Sequence, residues 1–360
     1  PVRRRGMELV DWPAGTERSF LRNAQGLRLP LVRVPAANAR ATVVLVHGVA
    51  VCARHDFLRA PRRGARHTTF DGSFAHALWR AGLTLVLYDQ QGMGEADSVR
   101  PSCRHYFERF DDLAEDLLAV TAAAAAAAPP ALPLYWLGLS MGGGVCVRAS
   151  QLRATPAAAG LVLLAPMLCL TAAREELLLP ALGIRNRHLY PVMRQLSACI
   201  PTAQLVRKAP NAAFPHLEEE LLAEPLNHSA PLRVRVAAEF VLATEAFMGG
   251  GEAARALEAA RVGDVLLVHA LADTLAEPDG SRAAYERMSV EGEKALLLVG
   301  GGGVEGSFRR EGKGRGGAAA AALERLKDCG MWHALTLEPG FERLGEAIGL
   351  WIGESAAARG

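Results

Sequence analysis

A serine at the end of an apolar segment has neighbours that suit nucleophilic chemistry. The pentapeptide Gly138-Leu139-Ser140-Met141-Gly142 follows the apolar run Leu134–Leu137 and precedes a helical pattern at Val145–Arg153. A strand, a sharp turn flanked by small residues and a new helix together form a nucleophile elbow. The first amides of such a helix favour developing negative charge. The pattern therefore predicts that Ser140 is a nucleophile.

A serine hydroxyl needs a base, and the base needs a carboxylate that orients it. In chains with this elbow the order along the sequence is serine, acid, histidine. His333 is the only histidine after Gly280, so it is the predicted base. Asp273 comes a few residues past the apolar run Val265–Val268, where a loop can turn a carboxylate toward the histidine. We therefore predict that Asp273 is the acid.

Other residues near the same run are alternative candidates for the acid or the base. Glu277 and Asp279 follow it closely and stay open as alternatives. Asp264 precedes the run and lies at the wrong end of the predicted strand. His269, in the last turn of that strand, is expected to be buried structure and not a second base.

The turn after another apolar run can supply donors for a developing oxyanion. His47-Gly48-Val49 follows Thr42–Val46. Gly48 lets the backbone turn so that an amide faces the serine. The backbone amides of Val49 and Met141 are the predicted oxyanion hole. His47 itself is expected to make structural hydrogen bonds.

These residues need a scaffold, and the chain has the pattern of a mainly parallel sheet. Continuous apolar runs are typical of strands that are covered on both faces. Helical patterns between the runs imply right-handed crossovers, so we predict an α/β fold with a central sheet flanked by helices. The runs are Thr42–Val46, Leu83–Tyr88, Leu134–Leu137, Leu161–Leu164, Val265–Val268 and Ala295–Val299.

The spacing of the runs suggests an insertion and two further segments. About a hundred residues separate Leu164 from Val265, far more than a crossover needs. The leucine-rich part of this stretch predicts a helical cap at 171–232, with helices at 175–182, 191–196 and 217–222. The core is then 29–170 and 233–352. We expect 1–28 to be an N-terminal extension and the glycine- and alanine-rich residues 300–322 to be a mobile low-complexity insertion.

Composition excludes several classes of protein. The 360 residues include 40 basic and 38 acidic side chains, which give a net charge of +2. A dedicated nucleic-acid binder would need a basic excess, so we expect no nucleic-acid partner. Half of the residues are hydrophobic, which allows a large core. Six cysteines without a CxxC pair exclude a disulfide scaffold and a zinc ribbon.

Neither the long uncharged stretch nor the N-terminus has the pattern of a membrane segment. The longest stretch without charged side chains, 117–147, contains prolines and glycines. It predicts a helix end, a strand, a turn and a new helix, and not a transmembrane span. The arginines near the N-terminus precede no apolar segment, so we expect no signal peptide. We expect a cytoplasmic protein with at most transient membrane contact through the cap, and leave its oligomeric state open.

Together these segments resemble the α/β-hydrolase superfamily and, within it, the monoglyceride lipase and lysophospholipase group. The resemblance implies the α/β-hydrolase fold with an inserted cap, and a Ser140–Asp273–His333 triad that needs neither metal nor cofactor. It also implies a small lipid ester as substrate. The matching segments are Val44–Gly48, Tyr88–Gly94, Gly138–Gly143, Leu163–Pro166, Leu266–Asp273 and the stretch from Glu224 to Phe247.

The sequence leaves several functions to compare. We expect a serine hydrolase of carboxylic esters, most specifically a monoacylglycerol lipase or lysophospholipase whose leucine-rich cap lines an acyl site. A proline-iminopeptidase-like peptidase would share the triad. A non-catalytic binding protein on the same fold is favoured by the insertion before His333. The basic segment Arg309–Arg315 could instead contact acidic lipid or nucleic acid, although such charges are usually only solvated.

Overall fold

A nine-stranded sheet forms the centre of the computed structural model. The structure describes residues 10–59, 68–129, 132–153, 155–171, 177–179, 184–185, 188, 190–206, 211, 213–249, 255–312 and 317–359. The strands are β1 (Glu17–Arg22), β2 (Arg28–Val34), β3 (Ala41–Val46), β4 (Leu83–Tyr88), β5 (Leu134–Leu139), β6 (Gly160–Leu164), β7 (Leu177–Leu179), β8 (Ile184–Arg185), β9 (Gln204–Val206), β10 (Leu232–Arg233), β11 (Asp264–Ala270), β12 (Lys294–Val299) and β13 (Ser307–Glu311).

The order across the main sheet is β1-β2-β4-β3-β5-β6-β11-β12-β13. The neighbours from β4 to β12 pair in parallel. Strand β13 at one edge pairs antiparallel with β12, and at the other edge β1 pairs antiparallel with β2, which in turn pairs antiparallel with β4. Each of the six apolar runs is one of the parallel strands, so the predicted α/β fold with a mainly parallel sheet is confirmed.

Two hydrophobic clusters cover the two faces of this sheet. In β3, Val44 and Val46 belong to one cluster, while Val43 and Leu45 belong to the other. Successive side chains of a strand point to opposite faces, so a strand between two cores needs apolar residues at every position. This is why the parallel strands are continuous apolar runs.

The helices divide between these faces. Residues of α3, α4, α7 and α8 join the first cluster, and residues of α1, α2, α9 and α10 join the second. Within the described ranges, no helix combines the length and apolarity needed to cross a membrane. The helices are α1 (Ala53–Phe57), α2 (Phe74–Arg80), α3 (Phe110–Ala126), α4 (Met141–Gln151), α5 (Tyr190–Cys199), α6 (Pro215–Ala223), α7 (Val234–Phe247), α8 (Pro278–Arg287), α9 (Ala318–Glu324) and α10 (Phe341–Ala357).

The predicted cap region is only partly helical. Helices α5 and α6 cover the patterns at 191–196 and 217–222. The helix expected at 175–182 is wrong where it can be compared, because 177–179 is strand β7, paired with β8. The rest of that range lies outside the described residues. Strands β9 and β10 pair in a second small sheet, which brings the two ends of the segment 204–233 together.

Two other segments that were expected outside the core contribute strands to the main sheet. The extension 1–28 contains β1, which pairs along its whole length with β2. The insertion 300–322 contains β13, which pairs with β12, and the start of α9. In its basic segment, Arg309 is paired with Glu286 and Arg310 with Glu293, and residues 313–315 lie outside the description. Residues 1–9 lie outside it as well.

A buried ion pair joins the end of the cap region to the core. The guanidinium of Arg54, in α1, donates to both carboxylate oxygens of Glu224, and its Nε lies 2.9 Å from Oε2. The two residues are 2% and 8% exposed. Nearby, the Cys52 amide donates to Asn227 Oδ1 and the His228 amide donates to the Ala50 carbonyl. These contacts hold the loop that follows β3 against the segment that follows α6.

We predict that Glu224→Gln lowers the free energy of unfolding by about 3 kcal/mol, because it removes the negative charge that directly pairs with the buried Arg54 cation. Urea denaturation followed by circular dichroism measures the change. Asp279→Asn is the control, since Asp279 pairs with Arg282 on the surface and such pairs contribute about 0–1 kcal/mol. Similar losses in both variants would contradict the importance of burial.

Candidate active site

Ser140 occupies the sharp turn between β5 and α4. Its φ of 54° and ψ of −118° lie in a region that non-glycine residues rarely adopt, which costs about 1–3 kcal/mol and is typical of functional sites. A β-carbon at Gly138 would collide with the backbone of Gly142, and one at Gly142 would collide with that of Val46. The Ser140 amide donates to the Leu164 carbonyl at 2.9 Å. The small neighbours thus permit the turn, and the adjacent strand fixes it.

The structure brings the three predicted side chains together. His333 Nε2 lies 3.0 Å from Ser140 Oγ, and His333 Nδ1 lies 2.7 Å from Asp273 Oδ2. These residues are separated by 193 and 60 positions in the chain. The hydroxyl, imidazole and carboxylate therefore form one continuous chain of hydrogen bonds.

Asp273 is fixed by contacts on both of its oxygens. Its Oδ1 accepts from the amides of Leu275 and Ala276 at 2.8 and 3.1 Å, and its Oδ2 also lies 3.2 Å from His269 Nε2. Burial alone would raise the pKa of Asp273, but His333 and the hydrogen bond from His269 outweigh it and lower the pKa to about 2. The carboxylate therefore stays ionised at neutral pH.

The alternative acids have other partners. Glu277 accepts from Cys169 Sγ and from the Thr171 amide. Asp279 is exposed and pairs with Arg282. Asp264 lies at the other end of β11. In the described part of the chain, the His333 ring hydrogen-bonds to Asp273 and Ser140 and to none of these three side chains.

The charges around His333 favour its protonated form. Burial of the ring lowers the pKa, but Asp273, followed by Glu338 and Asp56, more than offsets that effect. The pKa of His333 is therefore raised above its ordinary value of 6.5. A histidine with this environment accepts a proton readily once it is neutral.

The turn His47–Val49 is held in place by several contacts. The His47 ring lies 2.8 Å from the Gly48 carbonyl through Nδ1 and accepts from the Gln90 amide through Nε2. The Gln90 side chain donates to the His47 carbonyl, and Asp56 accepts from the Gly48 amide at 2.7 Å. The buried, structural position expected for His47 is what the structure shows.

This turn leaves the two predicted oxyanion donors available. In the ranges that the structure covers, neither the Val49 amide nor the Met141 amide donates to a protein acceptor. Val49 and Ser140 both line the same cleft. Met141 is the first residue of helix α4, and the first amides of a helix have no acceptor within the helix and are suited to bind an anion. The oxyanion role of both amides remains a proposal.

The cleft above Ser140 is largely apolar, with a few polar groups. Apolar side chains include Val51, Leu217, Leu221, Leu275, Trp332 and Leu337. Polar side chains away from the triad are His55, Asp56, Asn211 and Glu218. No lysine or arginine is among the described residues that line it. The described part of the chain also has no group of three metal-ligating side chains.

Sequence reasoning missed three buried residues that support this site, namely Asp56, Gln90 and Glu338. Asp56 and Gln90 hold the turn after β3, while Glu338 lies beside the loop of His333. Asp56 and Glu338 lie outside the segments that carry the family resemblance, and Gln90 lies within Tyr88–Gly94 without a role that the sequence assigns to it. Their contacts depend on how separate loops meet, and a single sequence carries little signal for that.

Comparison with known proteins identifies the family. A family model described as serine aminopeptidase, S33, matches residues 60–302, which is more than half of the chain. The chain belongs to this family. The matched range contains Ser140 and Asp273 and ends before His333. A comparison with curated protein sequences found no significant match.

Solved structures share the fold at low sequence identity. Monoglyceride lipase from Saccharomyces cerevisiae, a soluble variant bound to a substrate analogue, superposes with a TM-score of 0.65 at 16% identity, over 96% of this chain and 98% of that one. Monoacylglycerol lipase from Paleococcus ferrophilus gives 0.61 at 16% identity, over 91% and 99%. A carboxyl esterase from Bacillus coagulans gives 0.58 at 14% identity, over 83% and 92%. The predicted α/β-hydrolase fold is thus confirmed.

We predict that the reaction of Ser140 with a fluorophosphonate depends on the ionisation of His333. The labelling rate should rise with pH through a pKa above 6.5, because only the neutral ring accepts the serine proton. Asp273→Asn should move this rise to lower pH, since the negative charge that raises the pKa is lost. It should also reduce the plateau rate by roughly 10⁴-fold.

Asp279→Asn serves as the matched control for this prediction and should label like the wild type. Labelling rates measured by mass spectrometry between pH 5 and 9 give both the plateau and the pKa. If Asp273→Asn and Asp279→Asn had the same profile, the assignment of the acid would be wrong.

Proposed function

We propose that this protein is a serine hydrolase that cleaves carboxylic esters through an acyl-enzyme on Ser140. The observation that carries the proposal is the unbroken hydrogen-bond chain from Ser140 Oγ through His333 to Asp273, with distances of 3.0 and 2.7 Å. It lies in a cleft with mainly apolar walls. This is the arrangement that converts a weakly nucleophilic hydroxyl into an effective one.

The reaction has two halves. Ser140 Oγ attacks the ester carbonyl while its proton passes to His333 Nε2, and the imidazolium then gives that proton to the leaving alcohol as the C–O bond breaks. Water next attacks the acyl-enzyme, again with His333 as base, and releases the carboxylic acid and free Ser140. Asp273 keeps its charge throughout and stabilises the imidazolium. The amides of Val49 and Met141 stabilise the tetrahedral oxyanion.

The walls of the cleft favour an apolar acyl group and a neutral head group. Leucines of α6 and the loop after β11 provide apolar surface of the kind that binds an acyl chain. Recognition of a phosphate uses arginine or lysine, whereas the charged side chains away from the triad on the described walls include the carboxylates Asp56 and Glu218. Between the two lipid classes expected from the sequence, we therefore favour monoacylglycerols over lysophospholipids.

A serine peptidase is the second candidate function. The family name points to aminopeptidases, and the carboxylates of Asp56 and Glu218 could pair with a free amino group of a peptide. The non-catalytic alternative is disfavoured, because His333 is within hydrogen-bond distance of Ser140 despite the insertion before it.

We predict that the wild type hydrolyses p-nitrophenyl esters and monoacylglycerols much faster than aminoacyl-naphthylamides. Ser140→Ala should reduce ester turnover by roughly 10⁶-fold without changing the fold, because the nucleophile is lost. Ser102→Ala, at an exposed position outside the cleft, is the control. Faster turnover of the naphthylamides would support the peptidase, and equal ester rates in wild type and Ser140→Ala would refute catalysis by this serine.

The preference for a neutral head group can be tested on its own. Glu218→Gln should raise kcat/KM for an anionic lysophosphatidic ester relative to a monoacylglycerol by about threefold to tenfold, since one repulsive charge is removed from the wall. Glu219→Gln changes the next, exposed residue of α6 and is the matched control. An unchanged ratio in Glu218→Gln would show that this carboxylate does not select the head group.

A further inference from the structure

The carboxylate of Glu338 is buried against the backbone of the loop that carries His333. Its Oε2 accepts from the Trp332 amide at 2.6 Å, and its Oε1 accepts from the amides of His333 and Ala334 at 2.9 and 2.7 Å. The residue is 0% exposed. Its own amide donates to the Ala334 carbonyl at 3.1 Å, which closes the loop on itself.

This contact pattern requires a carboxylate. Three consecutive amides donate to one side chain, and both of its oxygens must accept. A glutamine would place an NH₂ donor against at least one of these N–H groups. Alignment of backbone amides around a single carboxylate fixes the peptide planes on both sides of His333.

The same carboxylate contributes to the electrostatics of the ring. The charged groups that act on His333 are Asp273 from the loop after β11, Asp56 from α1 and Glu338 from its own loop. His269 lies behind Asp273 and shares its Oδ2. Burial raises the pKa of Glu338, and the three amides oppose that effect. Asp273 acts on the ring through a side-chain hydrogen bond, whereas Glu338 acts from the backbone side.

We propose that Glu338 is the positioning residue of His333, holding the ring between Ser140 and Asp273 and adding a second negative charge that stabilises the imidazolium. The inference rests on the proposed function, since it concerns the proton that His333 takes from Ser140. It assigns two separable effects to one side chain, namely loop geometry and charge.

Two substitutions separate these effects, and a third is the control. Glu338→Gln removes the charge and one acceptor, so the plateau rate of fluorophosphonate labelling should fall by roughly 10–100-fold and the pKa in the profile should move to lower pH. Glu338→Asp keeps the charge on a shorter side chain, so its plateau should fall while its pKa stays near that of the wild type. Glu342→Gln, at an exposed position of α10, should change neither.

The pKa of His333 measured by NMR in a Ser140→Ala background makes the test independent of catalysis. A lower pKa of His333 in the Ser140→Ala, Glu338→Gln double variant supports the inference. It does so even if the wild type fails to label, a result that would refute only the proposed function. A folded Glu338→Gln protein with the wild-type plateau and pKa would overturn the inference, as would a variant that lowers only the melting temperature. If Glu338→Gln does not fold, a wild-type plateau in Glu338→Asp would overturn it.

Discussion

The hydrogen bond between Asp273 and His333 is the contact on which the rest of the site depends. It joins two loops 60 residues apart with an Nδ1–Oδ2 distance of 2.7 Å. Because Asp273 is held by the amides of Leu275 and Ala276, its carboxylate presents a fixed acceptor. Nδ1 therefore carries the proton, and Nε2 is left as the acceptor for Ser140. One contact thus sets both the orientation and the tautomer of the His333 ring.

The order of the strands explains why these loops meet. Strands β5 and β11 lie on either side of β6, and β12 is next to β11. Since the strands are parallel, their carboxyl ends share one edge of the sheet, which is where α/β folds bind ligands. The Leu164 carbonyl of β6 accepts from Ser140, and the Val268 carbonyl of β11 accepts from Ala165. Backbone pairing therefore ties the elbow to the strand before Asp273.

The sequence was sufficient for elements whose signal is local. Continuous apolar runs identified all six parallel strands, and a pentapeptide with chain order identified the three residues that the structure brings together. The prediction from sequence failed where pairing with another strand decides the conformation. Leu177–Leu179 is a three-residue strand whose leucines also suit a helix, and it is defined by its pairing with β8. The role inferred for Glu338 depends on three backbone amides, which no spacing rule reveals.

The insertion before His333 shows how a long excursion can leave a site intact. It begins after β12, and its base is closed by two backbone hydrogen bonds, from the Gly300 amide to Lys327 O at 2.5 Å and from the Gly330 amide to Gly300 O at 3.0 Å. The chain therefore returns to the end of β12 before it reaches His333. Strand β13 anchors the excursion to the sheet edge. The cost of lengthening a loop with fixed ends grows only slowly with its length, so an excursion closed in this way is compatible with a fixed position of His333 beside Ser140.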